Sequence, residues 1–513
     1  MRIQILLGLT CGVLATASAQ TTNAPANPRP LSLHQCIELA LSHNLDLRIE
    51  HLTVEMAGGN LTSAYGAYSP NFAFDATHHY ESTVGSFDPL KFNPYQPAEL
   101  TSDKLGSDLS GKVPFGFSYD FNGSVNRLRD NTDFNGSEYA ANFSTSGIRV
   151  TNDNNAVVGL NMQQHLLKDF WIDSDREVLL VRGADLKISQ QALRFKIMTI
   201  LLGVELSYFD LIGAREEIQV QAQALDLRRQ FLVITQRRVQ VGELPPLEDV
   251  QAQTQLQNTL TQLAAARQAF ATRQNHLAGL LTDDFKSWAD AELQPTDPLQ
   301  APPVAVNRSD SFQSALSRRP DLIEARLEVQ KNGTLVQYRL NQLFPNVDLV
   351  GGYGGLGSEP QSGSAALSDA FNFGNPEFTY GMVVSFPLDN ASARGGYRAS
   401  KAARQIAELQ LKKAEQDVLL QVADYVSGVE FSFSQVTSTH QARTCAEEAL
   451  EAETKKFQNG FATSFEVLQF QEILTAARTA EMRARVDYNK LLAQLAFAEG
   501  AILDRNHLSL EVK

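Results

Sequence analysis

Positive charge is in deficit: 44 lysines and arginines face 58 aspartates and glutamates, a formal charge of -14 over 513 residues. No basic patch stands out, which argues against wrapping a phosphate backbone, so no nucleic-acid partner is expected. Long apolar runs are missing after the N-terminus. With no later stretch of about 18 consecutive apolar residues, no transmembrane helix is expected in the mature chain, and any membrane crossing has to be a β-barrel. Catalytic signatures are absent too: there is no zincin, nucleophile-elbow or phosphate-loop motif, so neither enzyme activity nor a cofactor is expected. Cysteine totals three.

At the N-terminus, Arg2, the apolar run Ile3 to Ala15 and Ala17-Ser18-Ala19 form the three regions of a secretory signal, residues 1–19, with the cut after Ala19. Cys11 follows Thr10 inside the run, a poor lipoprotein site. Export leaves Cys36 and Cys445.

Proline is also missing from Ser174 to Val241, and the run stops sharply at Gly242-Glu243-Leu244-Pro245-Pro246. A helix of that length is about 100 Å long at 1.5 Å per residue, too long to stand without neighbours. Leu193, Ile197, Leu201, Val204, Tyr208 and Leu211 recur at steps of three and four along it, the seam of a helix packed on helices. A returning helix half as long ends near Leu281. Upstream, Ser32 with Gln35 makes a capping box for a helix from Leu33 toward Gly66, and Ser174 with Glu177 a second one. Strands are expected through Phe72 to Tyr80 and Val158 to Leu166, where apolar residues alternate. The Gly-, Ser- and Asn-rich segment from Val84 to Asn155 reads as long loops, with an extra strand or hairpin at Val113 to Phe121.

The pattern then repeats. Ala40-Leu41-Ser42, Asp46-Leu47 and Pro70-Asn71 are matched at one constant offset by Ala315-Leu316-Ser317, Asp321-Leu322 and Pro345-Asn346. Strands from Val347 and Phe378 follow, then a second proline-free rod from Ala391 to Asn459 whose seam runs through Val418, Val422, Tyr425, Val429, Phe433 and Val436. The first turn, Arg237 to Gly242, parallels Lys455 to Gly460, and each is followed six residues later by Glu248 or Glu466. The chain therefore divides into 20–282, a linker 283–308, a second repeat 309–500 and a tail 501–513.

In each half two short helices sum to the length of the rod and can stack end to end beside it. Four to six strands per chain cannot close a membrane barrel, for which about eight is the usual minimum, so the strands must be shared between copies. The fold class is mainly α with membrane β: helical hairpins forming an α-barrel below a shared transmembrane β-barrel, internally duplicated.

This arrangement resembles the TolC-type outer-membrane efflux protein family across nearly the whole mature chain. The resemblance is carried by Ala40-Leu41 with Asn44, Pro70-Asn71, Gln164-His165-Leu166-Leu167, Pro345-Asn346, Phe386-Pro387-Leu388 with Gly395-Gly396, and Phe457-Gln458-Asn459-Gly460. It implies a homotrimer in the outer membrane, with its helices in the periplasm. Its role would be the passive exit duct of a tripartite efflux pump or type I secretion system, working with a periplasmic adaptor and an inner-membrane transporter. It also implies adaptor docking at the helix tips, Val241, Gly242, Glu243 and Leu244 with Asn459, Gly460, Phe461 and Ala462. An acidic aperture would lie just beyond, at Glu248, Asp249 and Glu466, with Gln469 where a second acid is usual. The alternative is a non-conducting periplasmic coiled-coil scaffold. Small molecules and polypeptides would use the same duct.

Three signals mimic chemistry. Gly352, Gly354 and Gly357 match a dinucleotide-binding pattern after a strand, but Ser358, Pro360 and Gly363 are expected to continue a loop, with no helix to receive a phosphate. His78 and His79 are adjacent on a strand, so they point to opposite faces and cannot chelate together. Cys36 and Cys445 fall at different heights along the helices, about 50 Å and about 21 Å from the tip, too far apart for a disulfide, so two free thiols are expected.

Overall fold

A computed structural model describes residues 28–83, 87–88, 93–94, 98–133, 148–288 and 291–508. The expected signal sequence, its cut after Ala19 and Cys11 lie outside these residues. The principal helices are α1 (Leu33–His43), α2 (Leu45–Tyr65), α3 (Ser174–Gln240), α4 (Pro246–Leu281), α5 (Arg308–Arg318), α6 (Pro320–Asn341), α7 (Gly363–Phe371), α8 (Ala391–Gln458) and α9 (Ser464–Ala498). The strands are β1 (Pro28–Leu31), β2 (Asn71–Thr83), β3 (Ala98–Val113), β4 (Phe117–Asp133), β5 (Ile148–His165), β6 (Glu292–Pro295), β7 (Asn346–Glu359) and β8 (Asn375–Ser385). The rods α3 and α8 hold 67 and 68 residues, α4 and α9 hold 36 and 35. The helix expected from Leu33 to Gly66 is broken at Asn44, whose extended ψ of 124° ends α1, and Arg319 breaks the corresponding helix with ψ of 123°.

The chain divides into two compact units. One holds the described residues of Met1–Leu45 with Ile200–Ala305 and Ser427–Gln494. Its core is the expected seam: Leu201, Val204, Tyr208 and Leu211 of α3 are at most 1% exposed, and Val429 of α8, Leu277 and Leu281 of α4 and Tyr488 of α9 are equally buried. The side-chain amide of Asn44 donates to the Leu280 carbonyl at 3.2 Å, joining the C-terminal end of α1 to that of α4. Cys36 is buried and Cys445 exposed, both free; burial pushes the Cys36 thiol up to about 12.

The linker is more structured than its prolines suggest. β6 pairs in parallel with β1, and the Tyr208 hydroxyl donates to Asp297 Oδ2 at 2.7 Å. The Leu33 amide donates to the same oxygen, also at 2.7 Å, so one carboxylate ties the linker to the rod and to the start of α1. Burial, then Asp297, pushes the Tyr208 phenol up.

The other unit holds Asp46–Thr199, Val306–Val426 and the described part of Leu495–Lys513. At its centre is a six-stranded antiparallel sheet in the order β8-β7-β5-β4-β3-β2. The loop-rich reading of Val84 to Asn155 is corrected: β3, β4 and the start of β5 lie in this segment, their polar residues alternating with apolar ones along long strands. Of the extra strand or hairpin expected at Val113 to Phe121, the hairpin is what forms. The alternation is interrupted by a tight turn at Phe115 and Gly116, whose φ of 85° and 70° reverse the chain between β3 and β4.

Asp173 caps α3 in place of Ser174: its Oδ1 accepts from the Arg176 amide at 2.6 Å, and its carbonyl accepts from the Glu177 amide. On α8 Val426 takes the seam position expected of Tyr425 and is 1% exposed. A helix does follow the glycine-rich strand, because Ser362 caps α7. The glycines nevertheless sit within the β7 ladder, away from the helix start, so the phosphate-binding arrangement is not formed. Finally, α3 contains one window apolar enough to cross a membrane, although no run in it is purely apolar. More than half of that window is buried against protein, as a bundle seam requires.

Candidate functional sites at the helix turns and the sheet faces

The two helix turns share one backbone solution. At the first, the Glu243 amide donates to the Arg238 carbonyl at 2.9 Å and the Gly242 amide to Val239 at 3.1 Å. At the second, Phe461 donates to Lys456 at 2.9 Å and Gly460 to Phe457 at 3.1 Å. This paired pattern closes a helix through one left-handed residue, and Gly242 and Gly460 have φ of 81° and 79°. Nothing lies within 4 Å of where a Cβ would stand at either glycine, so the backbone angle alone selects the residue.

The exits from the turns differ. Pro245 caps α4 and Pro246 occupies its first turn, a position that needs no amide donor. On α9 a reciprocal capping box forms instead: the Glu466 amide donates to Thr463 Oγ1 at 3.2 Å, and the Thr463 amide donates to Glu466 Oε2 at 2.7 Å. The Thr463 amide and hydroxyl hold the Glu466 carboxyl below its ordinary value.

Beneath the turns Phe231, Ala252, Leu450, Phe457, Val467 and Leu474 form a small apolar core. Arg238 reaches across it, donating to the carbonyls of Phe457 and Gln458 at 2.9 Å each, with its guanidinium 4.5 Å over the Phe457 ring. Buried Arg228 donates to the Leu468 carbonyl at 3.1 Å. These arginines were not legible as functional; Arg238 stands inside the repeated turn sequence, but its acceptors are backbone atoms.

Of the tip residues named from sequence, Val241, Gly242, Glu243, Asn459, Gly460 and Phe461 are exposed, whereas Leu244 and Ala462 turn partly into the core. Val241 is 71% and Phe461 85% exposed, and Leu247 and Phe465 beside them are also open. Apolar tips of this kind suit a protein contact. Among the aperture residues, Glu248 is half-buried with one carboxylate oxygen unpartnered, and Asp249 accepts from Gln253 at 3.1 Å. Gln469 is exposed.

The sheet has two unlike faces. Phe72, Leu109, Phe121, Leu160, Tyr353 and Phe378 are successive cross-strand partners, an unbroken apolar row over all six strands. Most of this row is open: Phe72 and Phe378 are each 68% exposed. Val113, Leu109 and Leu105 of β3 lie on that face, spanning about 26 Å along the strand. A polar row of His78, Asp103, Arg127 and Asn154 ends the band, with His78 and Asp103 paired at 2.6 Å. The opposite face carries Asp75, Lys104, Asp120, Asn122 and Asn161, with Asn161 donating to Asp120 at 3.3 Å. α7 rests on the apolar face against Ala156 and Val158, where Gly355 and Gly357 leave room for the carbonyls of Ala370 and Ala366.

Comparison with known proteins agrees with this geometry. A family model described as outer membrane efflux protein matches residues 120–282 and 312–501. The pyoverdine export outer membrane protein OpmQ of Pseudomonas aeruginosa is 26% identical over 349 residues, 66% of this chain and 70% of its own. The fusaric acid resistance protein FusA of Burkholderia cepacia is 27% identical over 206 residues, 40% of this chain and 36% of its own. In fold, the chain is similar to VceC of Vibrio cholerae, with a TM-score of 0.64 and 19% identity over 91% of this chain and 96% of that one. The CmeC outer membrane channel of Campylobacter jejuni has a TM-score of 0.66 and 14% identity over 99% of both chains.

Proposed function

The chain belongs to the outer membrane efflux protein family, and from that premise we propose that it is the exit duct of a tripartite pump. Three copies share one transmembrane barrel, and their rods continue it as a tunnel through the periplasm. Substrate is handed over by an inner-membrane transporter through a periplasmic adaptor, and the duct itself supplies no energy. The internal duplication gives each copy two helix tips, and the adaptor docks there on Val241, Gly242, Glu243 and Leu244 and on Asn459, Gly460, Phe461 and Ala462. Glu248, Asp249 and Glu466 line the entrance, their negative potential favouring cations. A relative named for fusaric acid resistance favours small-molecule cargo over polypeptides.

The observation that carries this reading is the apolar row from Phe72 to Phe378 with polar residues directly behind it. A soluble cap would bury such a row; a membrane strand turns it to lipid and its other face to water. Neighbouring residues of β5 test this in a Cys445→Ser background. In cells, Asn161→Cys reacts with a water-soluble maleimide and Leu160→Cys does not until detergent is added. Equal labelling of both would favour a periplasmic scaffold.

A further inference from the structure

We infer that each copy contributes six strands to the barrel wall, so that the closed trimer has eighteen, and that the seam between copies joins β2 of one to β8 of the next. This rests on the trimeric duct proposed above. The β3–β4 hairpin either belongs to the wall or stands outside it; three observations place it inside, and a fourth sets how neighbouring copies join.

The ladders are continuous. β3 pairs with β2 from Asn71 to Thr83 and with β4 from Glu99 to Val113, and β4 pairs with β5 along its whole length. Without the hairpin β2 and β5 have no contact through which to form a sheet. The two-faced pattern is equally continuous: Leu105, Leu109, Phe121 and Val125 share the apolar face, while Lys104, Asp108, Asn122 and Ser124 share the polar one. A hairpin standing in water above a membrane has no reason to keep a lipid-compatible face.

The β3–β4 turn is also fixed at the rim where α3 begins. The Gln164 side-chain Nε2 donates to the Phe115 carbonyl at 2.7 Å, and the His165 backbone amide to the Gly116 carbonyl at 2.9 Å. Lys112 pairs with Asp175 at 2.8 Å, and Arg176 lies 5.3 Å over the Phe115 ring. The turn is tight on this helical side, whereas the connections at the other end, 84–97 and 134–147, are long. Membrane barrels have this asymmetry of short periplasmic turns and longer outer loops.

Finally, the edges are complementary. Six alternating strands leave β2 and β8 running in opposite directions at the two edges of the sheet. A neighbouring copy therefore adds β8 beside β2 as another antiparallel pair, and an even-numbered ring closes with no edge left. An exposed edge of 13 residues would otherwise invite indiscriminate pairing. With strands about 4.8 Å apart and tilted about 40°, eighteen give a backbone diameter of about 36 Å, against about 24 Å for twelve. The consequence is a wide, polar outer lumen, which leaves selection of cargo to the helical entrance.

Cryo-electron microscopy of the full trimer in lipid nanodiscs tests this by counting strands in the wall. Eighteen strands, with β2 beside the next copy's β8, is the expected result. Twelve strands with β3 and β4 outside the wall would overturn the inference and leave the duct intact. A structure with no closed barrel would instead defeat the duct reading. Labelling gives an independent answer in the Cys445→Ser background: Asn122→Cys should react with a water-soluble maleimide and Phe121→Cys should stay protected in lipid, whereas a hairpin outside the wall exposes both.

Discussion

Arg238, four residues before the first helix turn, closes the C-terminal end of the other rod by donating to the carbonyls of Phe457 and Gln458 while lying over the Phe457 ring. One side chain thus couples the two helix tips. Arg238→Ala leaves two helix-end carbonyls without this donor, a loss of about 1–3 kcal/mol in local stability. Hydrogen exchange at Phe457 to Phe461 should accelerate roughly 5- to 150-fold, with Arg238→Lys in between because it keeps the charge but loses the fork. Unchanged exchange would show that the contact is incidental.

Gly242 and Gly460 act through backbone angle, not through space. Alanine at either should keep the fold and destabilise its own turn by about 1–2 kcal/mol, since a Cβ in the left-handed region costs that much. Gly460→Asn should recover part of the loss, because asparagine tolerates this region. Protection of the turn amides from exchange is the measurement; equal protection in the alanine and asparagine variants would contradict the account.

Glu324 gives a pH dependence of definite sign. Burial, then the neighbouring Asp321 and Glu50, raises its carboxyl from 4.5 to about 7, and one of its oxygens has no hydrogen-bond partner. The unfolded chain ionises first. The group therefore adds nothing below about pH 4.5 and a growing penalty up to about pH 7, at most about 3 kcal/mol. Glu324→Gln should raise Tm by a few degrees at pH 8 and leave it unchanged at pH 4. A gain at pH 4 as large as at pH 8 would contradict the assignment.

Glu466 has the opposite sign. Its folded carboxyl lies below the usual value, so its capping contribution is present at neutral pH and lost as pH falls through that depressed value. Glu466→Ala should fray the first turn of α9, read as faster exchange at pH 7, and the difference from wild type should shrink in acid. If Glu466 also lines the entrance, Glu466→Gln and Glu248→Gln lower cation preference in bilayer recordings. A cap lost with cation preference unchanged would assign Glu466 to structure alone.

The rods and their stops were legible because periodicity and proline are local signals: the Leu201 to Leu211 seam and the Gly242 and Gly460 turns lie where the sequence puts them. The β3–β4 hairpin was legible only near its turn, at Val113 to Phe121, because along the rest of both strands polar residues alternating with apolar ones have the overall composition of a loop. The turn at Phe115, a non-glycine residue with φ of 85°, is flanked by Pro114 and Gly116, residues that favour a reversal. The tip locks also escaped, since Arg228 and Arg238 bind backbone carbonyls more than 200 positions away. Thr463 with Glu466 has the spacing of a capping box, and that local signal is the one the structure realises.

Whether the chain conducts is decided most directly by recording single channels from the purified trimer in a planar bilayer, with Glu248→Gln and Glu466→Gln to relieve the entrance. The duct predicts discrete steps of constant size, more frequent in the neutralised variant. A well-folded trimer that never opens a pore, in either form, would contradict it.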